Sequence, residues 1–254
     1  MIPYRDENPT LKTPVVTIAI VAANVLVWLV VQGAGTGVPL ARSVCELGLI
    51  PGELTGRVAA GTTFQMGPEM FCRVEGARHY AHVVTSMFLH GSWMHIIMNM
   101  WFFWIFGNNI EDCMGRVRFV VFYLMCGIAA ALTQVAMDPA SPVPVVGASG
   151  AISGVMGAYL VLYPRVRVYT LVPLGFFLTT IALPAWAMLG YWIVLQALNA
   201  LPELAGAHGN GGVAFWAHIG GFVVGAATIK LFANGAYLES RKQNPWAPQR
   251  LRWG

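Results

Sequence analysis

The chain has 254 residues, of which 57% are hydrophobic and only 10% are charged, with a formal net charge of +4 and a mean hydropathy of +0.62. A soluble domain carries roughly 25% charged residues, so this composition excludes an ordinary soluble protein and indicates a polytopic membrane protein. The basic residues are spread over short loops and the tail, and the small positive charge therefore does not indicate a nucleic-acid partner.

Six apolar stretches predict six membrane spans, each near the roughly 20 residues that cross the hydrocarbon core. We expect an all-α fold with a polar tail at 1–13, a membrane domain at 14–233 and a basic tail at 234–254. The fourth span is short, so its start is expected below the membrane surface. The predicted spans are 14–32, 93–110, 119–137, 149–163, 184–201 and 216–232.

Two connecting segments are less regular. Segment 33–83 is Gly-rich with mixed charge, and it is too long for a tight turn, so we expect it to have structure of its own. It contains Cys45 and Cys72, which can form a disulfide if this loop faces an oxidising compartment. Segment 169–183 is predicted to be an interfacial lead-in to the fifth span.

The distribution of basic residues predicts the orientation of the spans, because short loops rich in Lys and Arg face the cytoplasm. The loops between spans three and four and between spans five and six have neither residue, which places both termini inside. The basic residues that determine this orientation are Arg5, Lys12, Arg116, Arg118, Arg165, Arg167, Lys230, Arg241, Lys242, Arg250 and Arg252.

The start of the fourth span is built almost wholly from small residues. Gly147 and Gly150 leave space on either side of the hydroxyl of Ser149, and Ser153 and Gly157 continue a small-residue stripe at a spacing of four. Such a stripe is typical of helix packing in membranes. Alone, it leaves two interpretations open, a packing seam that contains a serine or a nucleophile.

The predicted orientation places four polar side chains in one outer layer. Ser149 begins span four, His218 lies in the first turn of span six, and His95 and Asn99 share one face of span two. A histidine can take the serine proton. His95, Asn99 and the backbone N–H of Ser149 are donors that can stabilise an oxyanion. Considered singly, His218, His95 and Asn99 are each more often explained as interhelical polar packing than as catalytic groups.

A second small-residue face, on span six, would allow His218 to contact Ser149. Gly221 and Gly225 form a GxxxG face that matches the stripe on span four, and close packing of these two helices would bring His218 within hydrogen-bond reach of Ser149.

Four motifs, in this order and spacing, resemble the rhomboid family of intramembrane serine proteases over about residues 83–229. The motifs are His90-Gly91-Ser92-Trp93-Met94-His95-Ile96-Ile97-Met98-Asn99, Gly107-Asn108-Asn109-Ile110-Glu111-Asp112-Cys113-Met114-Gly115, Gly147-Ala148-Ser149-Gly150 and Ala217-His218-Ile219-Gly220-Gly221. Many members carry a Trp-Arg pair in the first loop, whereas this chain has Ala81-His82 at the corresponding place.

The resemblance implies a six-helix bundle in which Ser149 is the nucleophile and His218 its base, without an aspartate. It implies that His95, Asn99 and the Ser149 backbone form the oxyanion hole, and that His90 supports the site. It implies substrates that are membrane proteins cut near the outer end of a span. The reaction is expected to need no metal or cofactor. We expect a multi-pass protein of a prokaryotic plasma membrane with both termini cytoplasmic; the oligomeric state is left open.

Other functions remain as alternatives. The first is a non-catalytic rhomboid-like protein that binds or escorts membrane clients. The second is a transporter or proton channel that uses His90, His95 and His218 as a relay, but the inner halves of spans two, four and six are too apolar for a through path. A metalloprotease is disfavoured because the His-Glu-x-x-His motif is missing, and an aspartyl protease because the spans contain no aspartate pair.

Overall fold

The computed structural model describes residues 2–67, 70–174, 177–204 and 213–243, and most of these residues are helical. Short 3₁₀ turns cover Gly33–Gly35 and Ser86–Phe88. The helices are α1 (Val15–Leu26, continued by a π-helical turn at Val27–Val31), α2 (Gly37–Leu47), α3 (Pro51–Thr55), α4 (His82–Thr85), α5 (Trp93–Met114), α6 (Arg116–Met137), α7 (Ser149–Leu162), α8 (Ala185–Leu204), α9 (Phe215–Phe232) and α10 (Gly235–Gln243). The strands are β1 (Ile2–Asp6), β2 (Thr63–Gly67), β3 (Met70–Arg73), β4 (Arg167–Leu174) and β5 (Phe177–Pro184).

The central helix of the bundle is α7, in which every residue from Gly150 to Tyr159 is buried. A helix that is apolar on all sides must be covered on all sides. The helices α5, α6, α8 and α9 surround it. The largest fully buried side chains of this core include Phe103, Phe106, Phe119, Phe122, Tyr123 and Tyr159. Ser149 therefore lies at the end of the most enclosed helix.

The fold is mostly helical, as expected, but it is not all-α, because two small antiparallel sheets are present. In the larger sheet, β4 lies between β1 and β5. The predicted interfacial lead-in at 169–183 is largely the β4–β5 hairpin, which is rich in Val, Thr and Tyr, residues that favour extended backbone. In the smaller sheet, β2 pairs with β3 inside the outer loop.

The segment predicted as a polar tail contains β1, which pairs antiparallel with β4 from Ile2↔Leu171 to Asp6↔Val168. The carboxylate of Asp6 also accepts hydrogen bonds from the hydroxyl of Tyr159 at 2.5 Å and from the side chain of Asn109 at 3.0 Å. The start of the chain is thus attached to α5 and α7.

Among the described residues, α6 and α9 are the helices that are long and apolar enough to cross a membrane by length and composition. The apolar helices Val15–Val31 and Ser149–Leu162 are shorter. Helix α5 also has 22 residues, and it carries His95 and three asparagines. Of the basic tail, Arg250 and Arg252 lie outside the described residues, as do residues 205–212 of the loop before α9.

Candidate active site

Ser149 is the first residue of α7, and the chain reaches it through an unusual backbone turn. Gly147 has a φ of +130°, where a side chain would be strained, and a Cβ there would lie 2.8 Å from Nε2 of His95. Ala148 precedes the helix and has no side-chain oxygen that could cap it. Because the first N–H groups of a helix lack carbonyl partners within it, the Ser149 hydroxyl lies beside backbone donors.

His218 lies in the first turn of α9, and its Nε2 is 2.8 Å from Oγ of Ser149. Both side chains are half-buried. The two residues are 69 positions apart, so only the packing of α7 against α9 brings them together. This distance lets the serine O–H donate to the imidazole.

Glycines set the distance between α7 and α9. A Cβ on Gly221 would lie 2.0 Å from the carbonyl oxygen of Gly150, and a Cβ on Gly225 would lie 2.0 Å from that of Gly154. No side chain fits at either position. A Cβ on Gly157 would likewise lie 2.2 Å from the carbonyl oxygen of Phe222.

The glycines of α7 that meet α9 are therefore Gly150, Gly154 and Gly157, whereas the predicted stripe was Ser149, Ser153 and Gly157. Ser153 is fully buried, and its hydroxyl donates to the carbonyl oxygen of Ser149 on the same helix at 2.6 Å.

His95 approaches the serine loop from α5. Its Nδ1 accepts a hydrogen bond from the backbone N–H of Gly91 at 3.3 Å, so Nδ1 carries a lone pair and the neutral ring has its proton on Nε2. Nε2 is the atom nearest to the missing Cβ of Gly147. The hydroxyl of Ser92 caps α5 by accepting from the backbone N–H of His95 at 3.1 Å, which fixes the start of this helix. His95 thus presents an N–H donor next to Gly147.

Asn99 lies one turn further along α5 and lines the same cavity as Ser149, His95 and His218. Its side chain is 6% exposed, and within the described part of the chain its Nδ2 has no hydrogen-bond partner. The cavity has a volume of about 590 Å³. The four polar residues predicted to share one layer are thus brought together around one space.

His90 does not line this cavity but contacts His95, which does. The His90 backbone N–H donates to Oε1 of Gln32, and Nε2 of Gln32 donates to the His90 carbonyl, both at 2.8 Å. The ring of His90 lies edge-on to the ring of His95, with 5.1 Å between centroids. Burial, followed by the nearby His95, lowers the pKa of His90 to about 3, so this imidazole is neutral.

The outer loop holds the serine loop in place. Leu49 and Val145 exchange two backbone hydrogen bonds of 3.1 and 2.7 Å, and the N–H of Gly147 donates to the carbonyl of Ser86 at 2.9 Å. A disulfide joins Cys45 on α2 to Cys72 on β3, with 5.3 Å between Cα atoms. This loop therefore has the structure of its own that its length indicated.

Three glutamines that contact the site were not considered in the sequence analysis. Gln32 binds His90, Gln134 on α6 accepts from the backbone N–H of Ala217 at 3.2 Å, and Gln196 on α8 contacts His218. Each is an amide within or directly at the end of a predicted apolar span. A polar side chain at such a position usually has a partner, and that signal could have identified them.

Known proteins are similar to this chain over the region that contains the cavity residues. The family model described as "Rhomboid domain" matches residues 77–235. The chain is 30% identical to "Rhomboid protein 1, mitochondrial" of Saccharomyces cerevisiae over 115 residues, which is 42% of this chain and 33% of that protein. It is 29% identical to "Presenilin-associated rhomboid-like protein A, mitochondrial" of Danio rerio over 171 residues, 64% of this chain and 39% of that protein.

A bacterial relative, "Putative rhomboid protease YdcA" of Bacillus subtilis, is 33% identical over 78 residues, 31% of this chain and 39% of that protein. The matches thus span between a third and two fifths of these relatives' lengths. The family model covers well over half of this chain and includes all four motifs, three of which line the cavity. The chain belongs to the rhomboid family.

Proposed function

We propose that this protein is an intramembrane serine endopeptidase that cleaves transmembrane segments of other membrane proteins near their outer end. The observation that carries the proposal is the 2.8 Å contact between Nε2 of His218 and Oγ of Ser149 at a cavity that His95 and Asn99 also line. The relatives named as proteases and the family membership support it.

The proposed membrane arrangement has six spans, formed by α1 with its π-helical turn, α5, α6, α7, α8 and α9. Helix α7 has 14 residues and is about 21 Å long, shorter than the roughly 30 Å hydrocarbon core. If its inner end lies at the inner surface, Ser149 lies below the outer surface. The disulfide between Cys45 and Cys72 supports an outer loop in an oxidising compartment and hence cytoplasmic termini.

The chemistry follows from the hydrogen bonds. As Oγ of Ser149 bonds to the scissile carbonyl carbon, its proton moves to Nε2 of His218 and the carbonyl π electrons move onto oxygen. Nε2–H of His95, the Asn99 amide and the Ser149 backbone N–H are the donors for that oxyanion. When the C–N bond breaks, His218 gives its proton to the leaving amine.

Water then completes the reaction on the acyl-enzyme. Its oxygen bonds to the acyl carbon while a proton moves to His218. The ester bond to Ser149 breaks, and Oγ takes that proton back. In this scheme His218 is the base and then the acid in both halves, and neither half requires a carboxylate, metal or cofactor.

The substrates proposed are membrane proteins whose spans unwind locally, because main-chain amides in a stable helix are already hydrogen-bonded. Partners are therefore these proteins and the lipid bilayer. The relatives come from mitochondria and from a bacterium. We propose a prokaryotic plasma membrane as the location of this protein. The similarity to these relatives fits an organelle membrane equally well.

The alternative is a non-catalytic protein that binds membrane clients through the same cavity. It would use the cavity without transferring a proton from Ser149 to His218. The two functions differ in one chemical property, the reactivity of the Ser149 hydroxyl.

Labelling of the detergent-solubilised protein with a fluorophosphonate probe tests this property. The wild type is compared with Ser149→Ala, His218→Ala and the control Ser153→Ala, which removes a buried hydroxyl of the same helix. We expect the label in the wild type and in Ser153→Ala but not in the other two. A folded wild type without label, or label that persists in Ser149→Ala, would favour the client-binding protein.

Proteolysis is then measured in liposomes that contain a single-span substrate with a helix-weakening sequence near its outer end. A product that appears with wild type but not with Ser149→Ala supports the endopeptidase. Labelling without any product across a panel of such substrates would overturn the proposed substrate class.

A further inference from the structure

One side chain of α8 reaches the far side of the His218 ring. Oε1 of Gln196 lies 2.8 Å from Nδ1 of His218, on the edge of the imidazole opposite to Ser149. Gln196 is half-buried. The ring of Trp192, one turn earlier on α8, lies 5.7 Å from the imidazole at an angle of 37°. Helix α8 therefore contacts His218 through a tilted indole ring and through an amide.

The hydrogen bonds give the Gln196 amide a direction. Its Nε2 donates to the backbone carbonyl of Trp192 at 3.5 Å, and a carbonyl can only accept. The amide nitrogen therefore faces Trp192 and the amide oxygen faces His218. Because this oxygen can only accept, Nδ1 of His218 must carry a proton.

The protonation of Nδ1 determines what Nε2 can do. A neutral imidazole has one N–H, so with the proton on Nδ1 the lone pair is on Nε2, the atom 2.8 Å from Oγ of Ser149. The Ser149 O–H then donates to Nε2. The chain of donors runs from Ser149 through His218 to Gln196 and leaves His218 in the tautomer that a general base needs.

We propose that Gln196 is a positioning residue that holds His218 in this tautomer and ring orientation, so that the Ser149–His218 pair is completed by a neutral amide. The inference rests on the proposed function. The amide stabilises the imidazolium through one charge-assisted hydrogen bond but adds no negative charge.

The contacts of Gln196 distinguish this role from ordinary packing. Asn199, three residues further along α8, is exposed, and its amide donates to the Leu195 carbonyl of its own helix at 2.7 Å. Gln196 makes the equivalent bond to its own helix and a second one to His218. Of the described residues that line the cavity, His95 and His218 are the titratable ones.

The first test is the rate of fluorophosphonate labelling between pH 5 and 9 for the wild type, Gln196→Leu, Gln196→Glu and the control Asn199→Leu. We expect Gln196→Leu to slow labelling by about 10- to 100-fold, by analogy with the loss that follows when the outer partner of a metal-binding histidine is removed. Asn199→Leu should stay within about twofold of the wild type, because its amide bonds only to its own helix.

The acidic variant gives a signature that loss of packing would not produce. Gln196→Glu retains an acceptor for Nδ1–H. At high pH it should therefore label faster than Gln196→Leu. The carboxylate stabilises the imidazolium, and the base is therefore lost at a higher pH than in the wild type. The acidic fall of the labelling rate should move to higher pH.

The second test does not depend on activity. In protein labelled with ¹⁵N-histidine, the resonances assigned to His218 by their absence in His218→Ala report its tautomer. We expect Nδ1–H in the wild type and a mixture of tautomers in Gln196→Leu.

The outcomes separate the two proposals. A wild type that does not label overturns the proposed function. A wild type that labels, together with Gln196→Leu that labels equally fast at every pH and retains the Nδ1–H tautomer, overturns the role of Gln196 alone. If Gln196→Leu does not fold, Gln196→Glu decides, and an unmoved acidic limb contradicts the proposal.

Discussion

The carboxylate of Glu111 on α5 accepts two hydrogen bonds of 2.8 Å from Thr17 on α1, one from its backbone N–H and one from its hydroxyl. Its other oxygen accepts the N–H of Val16 at 2.9 Å. Glu111 is 4% exposed. One side chain thus supplies partners for the orphan N–H groups at the start of another helix, 94 residues away in sequence.

We expect Glu111→Ala to lower the free energy of unfolding by about 3 kcal/mol, because buried donors lose a charged acceptor. The shift in denaturant midpoint of the detergent-solubilised protein measures this change. Glu46→Ala is the control, since Glu46 forms an exposed ion pair with Arg42 and should change stability by less than about 1 kcal/mol. Equal midpoints for the two variants would contradict the capping role of Glu111.

The close contact of α7 and α9 predicts the effect of one methyl group. In Gly221→Ala the new Cβ would overlap the carbonyl oxygen of Gly150, so the helices must separate and His218 must move away from Ser149. A displacement of about 1 Å can slow a reaction by about 100-fold, and we expect fluorophosphonate labelling to slow by this order.

A matched glycine on α8 provides the control. A Cβ at Gly190 would have no neighbour within 4 Å, so Gly190→Ala should label at the wild-type rate. If both alanine variants label like the wild type, the glycines do not set the position of His218.

The disulfide predicts a dependence on redox conditions. Cys45 and Cys72 are 27 residues apart, and closing such a loop in the unfolded chain contributes about 3.5 kcal/mol in the chain-entropy description. Reduction should therefore make thermal inactivation occur at a lower temperature. The Cys45→Ser/Cys72→Ser double variant should already show this lower temperature and should not respond to reductant. A response of the double variant would assign the effect to another cysteine.

The buried imidazole of His90 predicts a dependence of stability on pH. Its pKa in the folded protein is about 3 against about 6.5 in the unfolded chain, so the unfolded chain binds the proton in the window between these values. Stability from this site is complete above pH 6.5 and falls as the pH decreases. The expected loss is about 2 kcal/mol between pH 7.5 and pH 5.

Denaturant midpoints at these two pH values measure the effect, and His90→Asn is the comparison because its side chain does not titrate. Between these two pH values, the unfolding free energy derived from the midpoints should fall by about 2 kcal/mol less in the variant than in the wild type. The same pH dependence in both proteins would place the titrating group elsewhere.

The sequence predicted the placement of Ser149 near His218 because three independent patterns agree there. Small residues on two spans, the parity of the spans and the positions of His95 and Asn99 all locate one layer. Each pattern is either a short repeat spacing along a helix or a number of spans, and both can be read directly from a single sequence. The contact with Gln196 has no such pattern, since one amide on an apolar helix does not reveal which neighbour it faces.

The larger sheet was not predicted, for a different reason. Strand β1 has five residues, too few for an alternating pattern, and its partner β4 begins more than 160 residues later. Apolar Val and Leu residues in β4 and β5 indicate a membrane surface and a strand equally well. The pairing is a tertiary property that local residue preferences do not contain.

This pairing has a consequence for synthesis of the protein at the ribosome. Strand β1 leaves the ribosome well before β4, but it can pair only after β4 has been translated, by which time α1, α5, α6 and α7 have already been made. Until then Asp6 cannot complete its bonds to both Tyr159 and Asn109. The residues of β1 therefore wait for α5, α7 and β4 before they reach their final neighbours, and their docking reports that these three elements have come together.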